Sequence, residues 1–235
     1  MPEYGETWVY ESLVGAIPGL DLSDRNAILI QLVVFEGAVL ALAAWYDLWG
    51  AVPAGTAAVV VATVGSWLML LFSRRVRELP TAEPYRRLLF GSSVDMALSV
   101  LAFVLLVTYL FVVDPRRGGT TLVQELLGPR PPPLAVVLML LVAWDVAYRI
   151  GTCWWATVVG FWRAIKYRYG PKTTEQAVRT DAVNIVFAAV QLLLVPFVAG
   201  HPILAVAILG HLGAVVVVAC ASIGLQRRRT RPASA

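Results

Sequence analysis

The sequence predicts an all-α membrane protein, a polytopic bundle of about six transmembrane helices with both termini in the cytoplasm. Hydrophobic residues make up 59% of the 235 residues and charged residues 14%, whereas soluble domains have about 45–50% and about 25%. The mean hydropathy is +0.73. The apolar residues form six runs long enough to cross a bilayer, and Lys and Arg gather at alternate ends of these runs.

The predicted spans cover residues 26–48, 52–72, 88–113, 134–162, 182–199 and 203–225. They form one transmembrane domain, 26–225, which follows an N-terminal segment, 1–25, and precedes a basic tail, 226–235. Six spans of about 20 residues need roughly 120 to 150 residues, so we expect no separate soluble domain here. Pro196 is expected to kink the last turn of the fifth span.

Two short helices are predicted outside the spans. Val9, Leu13 and Ile17 have helical spacing and favour a helix that lies on the membrane surface; a flexible tail is an equal alternative. In the loop between spans three and four, Thr121 and Gln124 form a capping-box pattern before a pair of leucines. We therefore expect a second short helix in this outside loop.

The basic residues predict the orientation. Arg25, the 73–87 loop, residues 163–179 and the tail hold fifteen Lys and Arg, whereas the opposite side has three, Arg116, Arg117 and Arg130. Arg163, Lys166 and Arg168 are expected to emerge into solvent beyond span four. Basic loops stay in the cytoplasm, which predicts a multi-pass protein of the cell membrane with both termini inside. Such residues contact lipid headgroups and do not indicate nucleic-acid binding.

Five ionisable residues lie inside the predicted spans: Glu36, Asp95, Asp145, Arg149 and His211. Each charge within hydrocarbon costs at least about 2.5–3.5 kcal/mol, so such groups normally face the bundle interior and find partners. Counted from the span ends, four of them lie between mid-membrane and the cytoplasmic leaflet: Glu36, Asp95, Arg149 and His211. We interpret them as candidates for a proton or small-cation pathway. Asp145 and Arg149 have i,i+4 spacing and could equally neutralise each other.

Uncharged polar residues mark the same helix faces. Ser99 follows Asp95 by four positions, Thr152 follows Arg149 by three, and Asn184 and Gln191 are seven apart in span five. These intervals place each set on one face of a helix. Ser99, Thr152, Asn184 and Gln191 are therefore predicted to line the bundle interior.

One face of the second span carries only small residues. Ala54, Ala58, Ala62 and Ser66 recur every four residues, which lets a neighbouring helix backbone approach closely. This neighbour is either another helix of the same chain or a second copy in a homo-oligomer.

Motifs for catalysis and metal binding are missing from the sequence. It has no HExxH, GxSxG, P-loop or CxxC pattern, and its two cysteines lie in apolar runs. We therefore expect no enzyme, cofactor, metal or disulfide. The leading interpretation is a small transporter or channel-like protein that handles protons or a small cation. The alternatives are a non-transporting scaffold or accessory subunit and, third, an intramembrane enzyme acting on lipids.

Overall fold

The computed structural model describes residues 23–80 and 83–230. All regular structure in this part of the chain is helical. Six helical stretches in it are long and apolar enough to cross a membrane, as an integral membrane protein with six spans requires. The surface helix predicted within residues 8–20 lies outside the described residues.

The helices are α1 (Asp24–Tyr46), α2 (Val52–Glu78), α3 (Glu83–Phe90), α4 (Val94–Thr108), α5 (Leu122–Leu127), α6 (Pro133–Lys166), α7 (Pro171–Val190) and α8 (Pro202–Thr230). Their starts carry recognisable signals. Ser23 accepts a hydrogen bond from the Asn26 N–H and caps α1, and prolines occupy the first turns of α2, α6 and α7. α5 begins at the Thr121 and Gln124 capping box, with both bonds at 3.2 Å.

Several helices extend beyond the apolar runs that predict them. α2 continues to Glu78, α6 continues to Lys166, and α7 begins at Pro171, eleven residues before the predicted span. Hydropathy marks only the apolar part of a helix, whereas backbone hydrogen bonding continues through its polar turns. The loop between the second and third spans is consequently shorter than the predicted 73–87.

Four places within the six long helical stretches depart from α-helical geometry. A 3₁₀ turn, Trp49–Ala51, precedes α2. Residues 91–93 separate α3 from α4. α4 continues through a π-helical segment, Tyr109–Val113, into a last turn, Asp114–Arg116. α7 continues as a 3₁₀ segment, Gln191–Val198, which contains Pro196. Since proline has no N–H to donate, the residue predicted to kink the fifth span lies in a segment of altered hydrogen bonding.

α6 is the central helix of the bundle. It packs against α2, α4, α7 and α8, whereas α1 packs mainly on α2. Met69, Phe72 and Val159 belong to the main buried core. Large apolar side chains such as Val33 and Val217 are exposed on the outside of α1 and α8, as expected for helices that face lipid.

Candidate functional site

Asp145 and Arg149 form a salt bridge within α6. Arg149 Nη2 donates to both carboxylate oxygens of Asp145, at 2.8 and 2.9 Å, and the Arg149 side chain is 1% exposed. Gln31 of α1 also donates to Asp145, at 2.9 Å. The i,i+4 pair that the sequence left open is therefore formed, and each charge neutralises the other.

Gln31 connects this pair to the second helix. Ser66 Oγ donates to Gln31 Oε1 at 2.9 Å, so one side chain joins α1, α2 and α6. The sequence analysis did not select Gln31. The sequence does contain a sign of its role, because Gln31 is the one polar residue within the apolar run 27–35.

Glu36 is held separately, between α1 and α2. Thr56 Oγ1 donates to Glu36 Oε1 at 2.7 Å, while Oε2 has no hydrogen-bond partner among the described residues. The carboxylate is therefore bound by a hydroxyl that the sequence analysis missed.

Asp95 occupies the first turn of α4, because the chain breaks its helix at residues 91–93. The Asp95 residue is 5% exposed, and an acidic residue in a first turn is stabilised by the dipole of its helix. The sequence placed Asp95 well inside a continuous span, whereas the structure places it at the start of a helix.

Ser99 lies where α4 and α6 approach each other closely, opposite Gly151. Its hydroxyl donates to the carbonyls of Asp95 and Tyr148, at 2.7 and 3.1 Å. A Cβ added to Gly151 would lie 2.6 Å from Ser99 N and 2.8 Å from Ser99 Cα. Ser99 is thus a helix-packing residue, made possible by the glycine opposite it.

Two further residues that were predicted to line the interior are buried, and their own side chains make no hydrogen bond among the described residues. The hydroxyl of Thr152 and the amide of Asn184 have no side-chain partner among the described residues. Thr152 is 0% and Asn184 1% exposed. Both are therefore buried within the helix bundle. No hydrogen bond among the described residues connects either of them to Glu36 or Asp95.

The small-residue face of α2 points into the same chain. Ala62 and Ser66 are buried among the described residues, and Ala54 and Ala58 line an internal cavity. The inner half of this face is therefore already covered by the chain's own helices.

That cavity has a volume of about 720 Å³. Residues from α1, α2, α4, α5, α6 and α8 form its walls, together with the π-helical and 3₁₀ segments. The walls are mostly aliphatic, and none of the described lining residues carries a formal charge, if His211 is counted as neutral. π-helical turns occur frequently at functional sites, and two irregular segments border this one space.

Gln191 and His211, both selected from the sequence, lie in the cavity wall. The Gln191 side chain is 2% exposed. Neither atom of its amide, nor Nε2 of His211, has a hydrogen-bond partner among the described residues. Gln191 stands at the transition from α7 to the 3₁₀ segment. These polar atoms are themselves buried, so the accessible wall of the cavity is almost entirely apolar.

A histidine lies between two carboxylates beside α5. His201 Nδ1 lies 3.0 Å from Asp114 Oδ1, and Nε2 lies 3.2 Å from Glu125 Oε2. Tyr109 Oη donates to Asp114 at 3.1 Å, and the Leu122 N–H donates at 2.8 Å. The cluster holds α5 against the bundle, and three leucines of α5 line the cavity. The sequence analysis had assigned His201 no role.

Arg163 corrects one expectation. It was expected to emerge into solvent with Lys166 and Arg168, but it is fully buried and pairs with Asp181 of α7. An apolar run followed by basic residues does not reveal which of them turns inward. A buried charge needs a partner, and here the partner lies on a different helix.

Comparison with known proteins gives a family without an assigned role. No curated protein and no solved structure matches the chain. A family model matches residues 3–222, which is most of the sequence. The chain therefore belongs to a family of unknown function (DUF7530).

Proposed function

We propose that the protein binds a hydrophobic small molecule in the cavity between its membrane helices. The observation that supports this proposal is the cavity itself, a space of about 720 Å³ with mostly aliphatic walls and no formally charged residue among the described residues that line it. Such walls favour an uncharged, apolar occupant, because a charged group placed there would lose its hydration without gaining a counter-charge.

The size and lining of the cavity support the same function. Ligand sites typically have volumes of about 300–1,000 Å³ and mostly apolar walls with a few polar groups. The cavity, at about 720 Å³, falls within this range, and its polar wall residues include Gln191, His211, Tyr109 and Thr108.

Native mass spectrometry of the full-length protein tests the proposal. Hexadecanol is added, and the bound fraction is counted per chain. Ala207→Phe fills the cavity from α8, whereas Ala221→Phe makes the same change on an exposed face of that helix away from the cavity. We expect one hexadecanol per chain in the wild type and in Ala221→Phe, and at least tenfold weaker binding in Ala207→Phe. Equal binding by both variants would refute the proposal.

Proton or small-cation handling is the second candidate function. It is favoured by the connected polar side chains Ser66, Gln31, Asp145 and Arg149, which cross from α2 through α1 to α6. Flux into liposomes tests it, with Gln31→Leu and Ser66→Ala as variants that interrupt this network and leave the Asp145–Arg149 pair in place. A flux that either variant reduces supports an ion path. No flux, or flux unchanged by both variants, removes these residues from any such path.

The orientation is proposed from charge. Basic side chains at the ends of α2, α6 and α8, such as Arg75, Lys166 and Arg227, favour a cytoplasmic location for both termini. In a variant without Cys153 and Cys220, Thr120→Cys should react with an impermeant maleimide on intact cells. Ser234→Cys should react only after the cells are opened. The reverse pattern would invert the topology.

A further inference from the structure

We infer that α5 is a movable lid of this cavity, that His201 holds the lid closed through Asp114 and Glu125, and that a bound molecule leaves past α5. This inference rests on the proposed binding function and adds the way in which access to the cavity is controlled.

α5 is the shortest helix in the cavity wall. It contributes Leu122, Leu126 and Leu127 to the lining and is six residues long. The other helices in the wall belong to the membrane-crossing stretches, which have 22 to 34 residues each. α5 is therefore the helical part of the wall that can move without displacing a membrane span.

The apolar side chains of α5 pack outside the main core. Leu122, Val123 and Leu127 belong to a second hydrophobic cluster, which is separate from the core that contains Phe72. Segments with few buried contacts open locally while the rest of a protein stays folded. α5 can therefore open while the main core stays packed.

Glycines at both ends of α5 provide the hinges. Gly119 has a φ of +87° and Gly128 a φ of +82°, a backbone conformation that glycine adopts far more readily than other residues. A Cβ added to either glycine would have no neighbour within 4 Å, so close packing does not restrain the backbone there. Hinges are a few loop or terminal residues that absorb changes in φ and ψ, and these two residues bracket the helix.

Two hydrogen bonds among the described residues tie α5 to the rest of the bundle. The Leu122 N–H donates to Asp114 Oδ2 at 2.8 Å, and His201 Nε2 lies 3.2 Å from Glu125 Oε2. Because His201 Nδ1 lies 3.0 Å from Asp114 Oδ1, one imidazole contacts both carboxylates that position α5. The Glu125 side chain is 47% exposed, so water can replace the histidine when the lid opens.

Release of a bound probe measures how often the lid opens. Tritiated hexadecanol is loaded onto the full-length protein, unlabelled hexadecanol is added in excess, and the loss of label is followed. We expect release from His201→Ala to be about tenfold faster than from the wild type, the factor that one hydrogen bond to a charged group supplies. Glu175→Ala is the matched control: it removes an exposed ion pair of α7 and should leave the release rate unchanged.

A cross-link between α5 and position 201 distinguishes a lid from a contact that only stabilises the fold. In a variant without Cys153 and Cys220, Glu125→Cys and His201→Cys replace the two side chains that contact each other. The protein is loaded with hexadecanol and then treated with a short bismaleimide. Release should be as fast as in His201→Ala before cross-linking and slower than in the wild type afterwards. His201→Cys alone, treated with the same reagent, should keep the fast release.

The outcomes separate the two proposals. Release that is no faster from His201→Ala than from the wild type, or equally fast before and after cross-linking, overturns the lid and leaves the binding function intact. If hexadecanol does not bind to the wild type, or if Ala207→Phe does not weaken its binding, the binding function itself fails and the lid fails with it.

Discussion

Arg163 and Asp181 form a buried ion pair between α6 and α7, with Nη2 and Oδ1 2.7 Å apart and side chains 0% and 3% exposed. The second carboxylate oxygen accepts bonds from Ser222 and Gln226 of α8, both at 2.7 Å. Arg163 also donates to Tyr85 of α3, at 3.1 Å. This ion-pair cluster joins four helices and satisfies most of the polar atoms that it buries.

Asp181→Leu should destabilise the protein strongly, because it leaves the Arg163 charge buried without its partner. Breaking one side of a buried pair costs about 3–5 kcal/mol. The double variant with Arg163→Met should recover much of the loss, since neither charge then remains. The free energy of unfolding of both variants is measured by titration with a denaturing detergent. A double variant as unstable as Asp181→Leu alone would show that the pair itself is required.

Gly151→Ala should destabilise the contact between α4 and α6. Its Cβ would meet Ser99 backbone atoms at 2.6 and 2.8 Å, and such overpacking costs about 1–3 kcal/mol. Gly213→Ala is the matched control, because its Cβ would have no neighbour within 4 Å and alanine favours a helix. Thermal unfolding in detergent compares the two. Equal melting temperatures would contradict the tight packing of α4 on α6.

His201→Ala should loosen α5, since it removes the imidazole between Asp114 and Glu125. We expect the α5 amides to exchange faster with solvent in this variant. A short helix held by few contacts opens more often when one of those contacts is removed. Exchange in α7 serves as the internal reference and should not change. Unaltered exchange in α5 would mean that its leucines, rather than His201, hold it in place.

The two cysteines should differ in reactivity towards a membrane-permeant maleimide. Both are free; Cys153 is buried and Cys220 is exposed. We expect rapid labelling of Cys220 in the folded protein and labelling of Cys153 only after unfolding. Peptide mass mapping identifies the modified residue. Rapid modification of Cys153 in the native protein would show that α6 is less tightly packed than its contacts imply.

Local signals explain which parts of the fold could be predicted. The short helix at Leu122–Leu127 follows from the Thr121 capping box, and the pairing of Asp145 with Arg149 follows from i,i+4 spacing. Both depend on residues within one turn of each other. The partners of Glu36 and Arg163 lie on other helices, and spacing within one segment holds no information about them.

The cavity illustrates the same difference. Gln191 and His211 could be selected as interior residues because polar groups in apolar runs avoid lipid. Their common position in the wall of one apolar cavity depends on the π-helical and 3₁₀ segments and on the packing of α1 and α4 around α6. Hydropathy does not record these features.

The sequence by itself determined the number of long apolar helices, because a bilayer core requires about 20 consecutive apolar residues and this requirement is local. Only the tertiary structure decided which charges are paired, which polar groups are left without partners and where the helices leave a space. Those properties depend on side chains that are distant in the chain, and they arise when the helices pack.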